Sequence, residues 1–190
     1  MSTQEKPEEL NPKNVIDYYR YWTTDAIIAD LDTKRHDFSV LITNKFHDFN
    51  IGSVIRNANA FMAKEVIVWG RKQFDKRGTV GAHHYSNLKF VKETEDLDLD
   101  GCLVIGFDNM DGAEPLEEFS WEPEEGQHIV LAFGQEQTGL PDEIVQRCDH
   151  IVYISQYGST RSLNVGCASA IAMYDLCSNM FRRPLLDPSS

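Results

Sequence analysis

Six short apolar runs, at 38–43, 65–70, 88–91, 102–107, 128–134 and 150–154, set the terms for this chain. Most are unbroken stretches rich in β-branched residues, such as Glu65-Val-Ile-Val-Trp-Gly70 and His128-Ile-Val-Leu-Ala-Phe-Gly134. A strand with one face in water alternates apolar and polar residues; an unbroken apolar strand is covered on both faces. Between the runs lie segments with helical spacing, at 51–63, 141–148 and 162–181. Strands alternating with helices make an α/β fold, a parallel sheet flanked by helices. Such sheets take ligands at the C-terminal ends of their strands. The loops after Thr43, Phe107, Gly134 and Ile154 are therefore the ones that matter. Ahead of the sheet, 1–14 is polar, with Pro7 and Pro12, and reads as a loose tail. Ile16, Tyr19, Trp22, Ile27, Ile28 and Leu31 follow at helical spacing, so one or two short helices are expected there.

The last helical segment is unusual. From Val165 to Asp175 it carries mostly small, uncharged residues where a surface helix needs a charged face, so something must cover it. Net charge is −12, which argues against a nucleic-acid partner if charge is spread evenly. It is not spread evenly. No Lys or Arg occurs between Lys92 and Arg147, and the region 34–92 carries Arg35, Lys45, Arg56, Lys64, Arg71, Lys72, Lys76, Arg77 and Lys89. One basic face and an ordinary solvated surface both fit that distribution. No apolar run has the length of a membrane span and no basic-then-apolar leader is present, so the chain reads as cytoplasmic. Cys102, Cys148, Cys167 and Cys177 sit in or beside apolar runs without a CxxC pair, as expected of reduced, buried thiols. His83-His84 lacks a partner at a recognisable ligand spacing, so no metal site is expected.

Three constellations carry possible chemistry. In Asn50-Ile-Gly-Ser-Val-Ile-Arg56, Asn50 is a candidate helix cap and Gly52 permits close approach of a backbone or ligand. Arg56 does not complement a helix start, which prefers acids, and so suits a phosphate or carboxylate partner. In Phe133-Gly-Gln-Glu-Gln-Thr-Gly-Leu140, two glycines flank Gln135 and Glu136 just after a strand. It is not a phosphate loop: the Lys-Ser/Thr ending is missing and Glu136 repels phosphate. A flat, polar ligand such as a nucleoside suits it better. Third, Ser162-Leu-Asn164 opens the uncharged helix, as cap or as site.

In this order, Asn-x-Gly-x-x-x-Arg, Phe-Gly-x-Glu-x-x-Gly-Leu and Ser-Leu-Asn-Val resemble the SpoU (TrmH-like) branch of the SPOUT RNA methyltransferases over 38–183. Residues 1–37 then form an N-terminal tail and short helical arm, and 184–190 a C-terminal tail. The resemblance implies a C-terminal deep trefoil knot, which nothing in the residue pattern alone would suggest. It implies S-adenosylmethionine as cofactor and transfer of its methyl group to a ribose 2′-oxygen of RNA, with tRNA slightly favoured over rRNA. A homodimer through the last helix is implied too. By the same likeness, cofactor contacts fall at Gly106, Phe107, Phe133, Gly134, Gln135, Glu136, Ile154, Ser162, Leu163 and Asn164. Arg56 matches the family's catalytic arginine, and Asn50, Glu136, Ser162 and Asn164 its other catalytic motif positions. Gln135 and Gln137 depart from the family pattern. A catalytically silent assembly factor of the same fold is the alternative.

Overall fold

The computed structural model describes residues 14–45 and 50–181. The expected tails, 184–190 and all of 1–14 but Asn14, lie outside them. In chain order the elements are α1 (Thr24–Asp32), β1 (His36–Asn44), α2 (Ile51–Ala60), β2 (Ala63–Gly70), β3 (Leu88–Val91), β4 (Leu103–Phe107), β5 (Glu114–Pro115), β6 (Ile129–Phe133), α3 (Asp142–Val145), β7 (His150–Tyr153) and α4 (Val165–Met180). The strands form one seven-stranded sheet in the order β3-β2-β1-β6-β4-β7-β5, and every pairing is parallel. The six apolar runs all became strands. The seventh, β5, has two residues, one of them Pro, and pairs only with β7; it carries no apolar run by which to be read.

Burial follows the pleat. In β1, an inner strand, residues 38–44 are all buried. Phe38, Val40 and Ile42 enter the cluster shared with α2 and α4, and Leu41 faces the opposite cluster with Val104, Val130 and Ile144. Successive side chains point to opposite faces, so an unbroken apolar strand serves two cores at once. A third cluster, Tyr19, Ile27, Leu31 and Tyr85, holds the N-terminal arm. There the Tyr19 hydroxyl donates to Asp30 at 2.5 Å; burial, then that bond, pushes the phenol pKa up. Thr23 caps α1 by accepting from the Ala26 amide.

Several local expectations are corrected. The first core helix ends at Ala60 rather than 63, because Met62 takes a left-handed φ of 59° and turns the chain into β2. Asn50 holds the position before α2 in a helical conformation and its side chain makes no capping bond. Gly52 is indeed a close-approach glycine, toward backbone: a Cβ there would lie 2.9 Å from Gly78 Cα and Thr79 N. The last helix starts at Val165, not 162, with Asn164 as its cap; Asn164 Oδ1 accepts from the Gly166 and Cys167 amides at 2.9 and 3.3 Å. Cys167 is exposed, contrary to the buried-thiol reading, while the other three cysteines are half-buried. Burial pushes Cys148 up to about 12 and Cys177 up to about 11.

The uncharged helix is half explained within the chain. Gly166, Ser169, Ala172, Met173 and Leu176 are buried. Close packing on α2 requires small residues: a Cβ on Gly166 would stand 2.9 Å from Ser53 Cβ. Asn57 Nδ2 donates across the contact to Gly166 O (2.7 Å) and Ser169 Oγ (3.0 Å). The other half of α4 is open, with Ile171 40% and Tyr174 66% exposed. Ala172, by contrast, is 0% exposed and lies in the core. Ala172→Asp is therefore expected to cost about 3 kcal/mol or more, as an unpaired buried charge. Urea unfolding measures it; a loss under 1 kcal/mol would contradict this placement.

Candidate active site

The C-terminal ends of β4, β6 and β7 open into a cavity of about 240 Å³. Phe107 and Phe133, stacked with centroids 5.1 Å apart, form its apolar floor with Val152, Ile154, Leu163 and Val165. Its polar lining includes Asp108, Asn109, Glu136, Gln156 and Arg161. The Gln156 Oε1 atom is buried and has no partner among the described residues, so a donor on a ligand would satisfy it.

The loop after β6 doubles back tightly. A Cβ at Gly134 would lie 2.0 Å from the Gly139 carbonyl carbon, so only glycine fits. Gln135 N donates to Gly139 O, and Gly139 N to Gln135 O at 2.8 Å. Asp108, at the end of β4, clamps the far end of this loop: its Oδ2 accepts from Leu140 N at 2.6 Å. Gln135 is buried and its side chain turns toward β1, accepting from the Lys45 amide at 3.0 Å.

Glu136 joins three separate segments. Asn50 Nδ2 donates to Glu136 Oε2 at 2.6 Å and Asn164 Nδ2 to the same oxygen at 3.3 Å. Asn164 Nδ2 also donates to Asn50 Oδ1 at 2.7 Å. The starts of α2 and α4 are thus tied to the loop after β6 by an acceptor that carries charge, which strengthens such bonds. Asn50, Glu136 and Asn164, read from motifs 28 to 114 residues apart, converge here.

The other expected site residues divide. Phe107, Phe133, Gly134, Gln135, Glu136, Ile154, Ser162 and Leu163 line the cavity. Asn164 stands behind the wall in the network just described. Gly106 faces away: a Cβ there would meet Ile151, Leu140 and Cys148 side chains under 3 Å. Arg56 is exposed on α2, outside the cavity lining, and has no hydrogen-bond or ion-pair partner among the described residues. Asp108, Asn109, Gln156 and Arg161 were not singled out from the sequence. Asn109 Nδ2 donates to Arg161 O at 2.9 Å and so ties the loop after β4 to the loop before α4. No motif marks these four; only the rule that ligands sit beyond strand ends pointed to their loops.

Elsewhere, Ser39 Oγ, His128 Nε2, His128 Nδ1 and Asp37 Oδ1 form a chain with 2.8 Å links, the connectivity of a hydrolytic triad. Ser39 is 1% exposed within β1, so the chain joins β1 to the start of β6 and is closed to a substrate. His83 Nδ1 is engaged by Thr79 Oγ1, and burial lowers the His83 pKa. Among the described residues no group of three or more His, Cys, Asp or Glu could hold a metal ion. No helix there is long and apolar enough to cross a membrane.

Residues 37–174 match the SpoU rRNA Methylase family. The chain is 28% identical over 138 residues to the 23S rRNA (guanosine-2'-O-)-methyltransferase RlmB of Acinetobacter baylyi, covering 67% of this chain and 54% of that one. It is 26% identical over 161 residues to the tRNA (guanosine(18)-2'-O)-methyltransferase of Escherichia coli K12, covering 80% and 69%. The fold superposes with a TM-score of 0.62 on the SpoU methyltransferase AviRb from Streptomyces viridochromogenes in complex with the cofactor AdoMet, at 26% identity and covering 79% and 60%. Relatives from Bacillus subtilis and Staphylococcus saprophyticus are matched over 66% of their length, so the chain spans less than two thirds of them.

Glu136→Ala leaves the Asn50 and Asn164 amides without their shared acceptor. About 1 kcal/mol of local stability should go at the start of α4. Hydrogen exchange reads this as faster exchange at Gly166 and Cys167, by roughly fivefold. Glu136→Gln, which keeps an acceptor oxygen, should stay closer to wild type. Unchanged exchange in the Ala variant would contradict the network.

Proposed function

Because the chain belongs to the SpoU rRNA methylase family, we propose that it transfers a methyl group from S-adenosylmethionine to a ribose 2′-oxygen of tRNA or rRNA. The observation that carries the reading is the cavity beyond β4, β6 and β7, bounded by the Asn50–Glu136–Asn164 network. Support comes also from relatives named as 2'-O-methyltransferases of tRNA and of 23S rRNA.

The residues fit the cofactor. A stacked Phe107–Phe133 floor and apolar walls suit a purine ring, and the unpaired Gln156 Oε1 offers an acceptor to an amino group. Asp108 and Glu136 outnumber Arg161 in the lining, so the cavity carries a net negative charge that suits a cationic ligand. When bound, S-adenosylmethionine supplies an electrophilic methyl group on a cationic sulfur. Backbone at Phe133 to Glu136 and at Ser162 and Leu163 would hold it, with Asn164 fixing the angle at which α4 leaves the wall. The trefoil knot belongs to the same proposal, and membership of the family supports it.

On the RNA side, Arg56 is the group that acts on the hydroxyl. A guanidinium holds its proton too tightly to be a good base. It is well suited to grip the neighbouring phosphate and to stabilise negative charge growing on the 2′-oxygen as the proton leaves. Its exposure, with no partner among the described residues, leaves it free to do so. Arg56→Ala is expected to bind S-adenosylmethionine as wild type does, by calorimetry, and to lose methyl transfer by about 100-fold or more. Transfer at the wild-type rate would overturn the role.

A homodimer through α4 completes the reading, in a cytoplasmic setting. The open half of the helix presents Cys167, Ile171 and Tyr174 without a charge, and a second copy would cover it. Wild type should sediment as a dimer and Ile171→Asp as a folded monomer. A monomeric wild type would contradict the interface.

A further inference from the structure

A second, larger groove of about 1380 Å³ lies at the same edge of the sheet, beyond the ends of β1, β2 and β3. We infer that it holds the sugar–phosphate strand of the substrate RNA beside the ribose to be methylated; this rests on the reading above. The volume exceeds the roughly 300–1,000 Å³ of small-molecule sites. Lys45, Arg71, Lys72, Lys92 and Arg147 line it, a concentration of positive charge in a chain of net charge −12.

Three carboxylates also line the groove, and two of them are engaged: Glu93 with Lys92 at 2.8 Å, Glu143 with Lys45 at 3.4 Å. Glu95 is the third. Arg71 and Lys72 are exposed and have no carboxylate partner among the described residues. Their backbone is fixed in advance. Asn44, buried at the end of β1, donates from Nδ2 to Arg71 O (2.7 Å) and Gln73 O (3.0 Å), and Arg71 N donates to Asn44 O (2.9 Å). Two buried polar atoms of groove-lining residues, Asn44 Oδ1 and Trp69 Nε1, have no partner among the described residues. Lys45 lies 4.7 Å from the Trp69 ring centroid and Lys72 5.4 Å from that of Phe90, so aromatic faces help to hold both cations in place.

Position makes a polymer the fitting occupant. Groove and cavity meet at the β1–β6 boundary, where the Lys45 amide donates to Gln135 Oε1 at 3.0 Å. Gln135 lines the cavity and Lys45 the groove. An RNA strand laid along this edge has its phosphates on Arg71 and Lys72 and one ribose at the mouth of the cavity. An acidic peptide is the competing polyanion, and it has no reason to extend toward the cavity.

The test uses the full chain and the double variant Arg71→Ala/Lys72→Ala, with a tRNA transcript and a single-stranded oligoribonucleotide followed by fluorescence anisotropy across salt concentrations. Each lost phosphate contact on single-stranded RNA lowers the slope of log K against log salt by about 0.7, so the double variant should lose about 1.4 in slope and about tenfold or more in RNA affinity at low salt. The charge-preserving exchange Arg71→Lys/Lys72→Arg should restore most of both. S-adenosylmethionine affinity should stay unchanged in all three proteins. Unaltered RNA affinity and slope in the Ala variant would overturn the groove assignment, as would tighter binding of polyglutamate than of RNA. Failure of the wild type to bind S-adenosylmethionine would instead overturn the underlying function, which keeps the two failures apart.

Discussion

One carboxylate, that of Glu136, sets the geometry on which the site depends. It accepts from Asn50 at the start of α2 and from Asn164 at the start of α4, and the two amides are bonded to each other. Asn164 is fully committed: its oxygen caps α4 and its nitrogen serves Asn50 and Glu136. Flipping the amide would break every one of these bonds, so its orientation is fixed. The wall formed by Ser162 and Leu163 is therefore positioned from the loop after β6. Asp108 holds the other end of that loop through Leu140 N. A charged acceptor at one end and a carboxylate clamp at the other keep a glycine-rich turn in one shape.

The sheet was legible because its strands are unbroken apolar runs, which only a doubly covered parallel sheet can bury. Asn50, Glu136 and Asn164 could be named from motif order, yet their mutual bonds could not, since the residues are separated by up to 114 positions. Asn50 looked like a cap from its place before a helix; its side chain was instead drawn to a charged acceptor. Asp108 left no signal, because an Asp after a strand is commonplace until the amide it meets, 32 residues on, is known. The last helix misled in part. Its small residues suggested one hidden face toward a partner, whereas packing against α2 already demands Gly166 and Ser169, and the open stripe falls on Ile171 and Tyr174.

Charge could be counted in the sequence but not assigned to faces. Arg35, counted among the cations of 34–92, is turned inward; its side chain is 5% exposed and donates to Tyr85 O at 2.9 Å. Lys64 pairs with Asp37 and Arg77 with Asp75. Arg71 and Lys72, without a carboxylate partner among the described residues, stand at one strand edge. That edge is divided into a cavity lined by two carboxylates and Arg161, net negative, and a groove lined by five cations and three carboxylates, net positive. An acidic protein can in this way meet RNA at one place and repel it elsewhere.

The central claim is that these two halves bring a ribose hydroxyl to a methyl donor. It is tested most directly by incubating the protein with S-adenosylmethionine labelled in its methyl group and RNA free of modification, then hydrolysing the RNA in alkali. Alkaline cleavage needs a free 2′-hydroxyl, so methylation there leaves the label in alkali-resistant dinucleotides, which is the result this account predicts. Label in mononucleotides would mean a methylated base, and no incorporation would mean no transfer; either would contradict it.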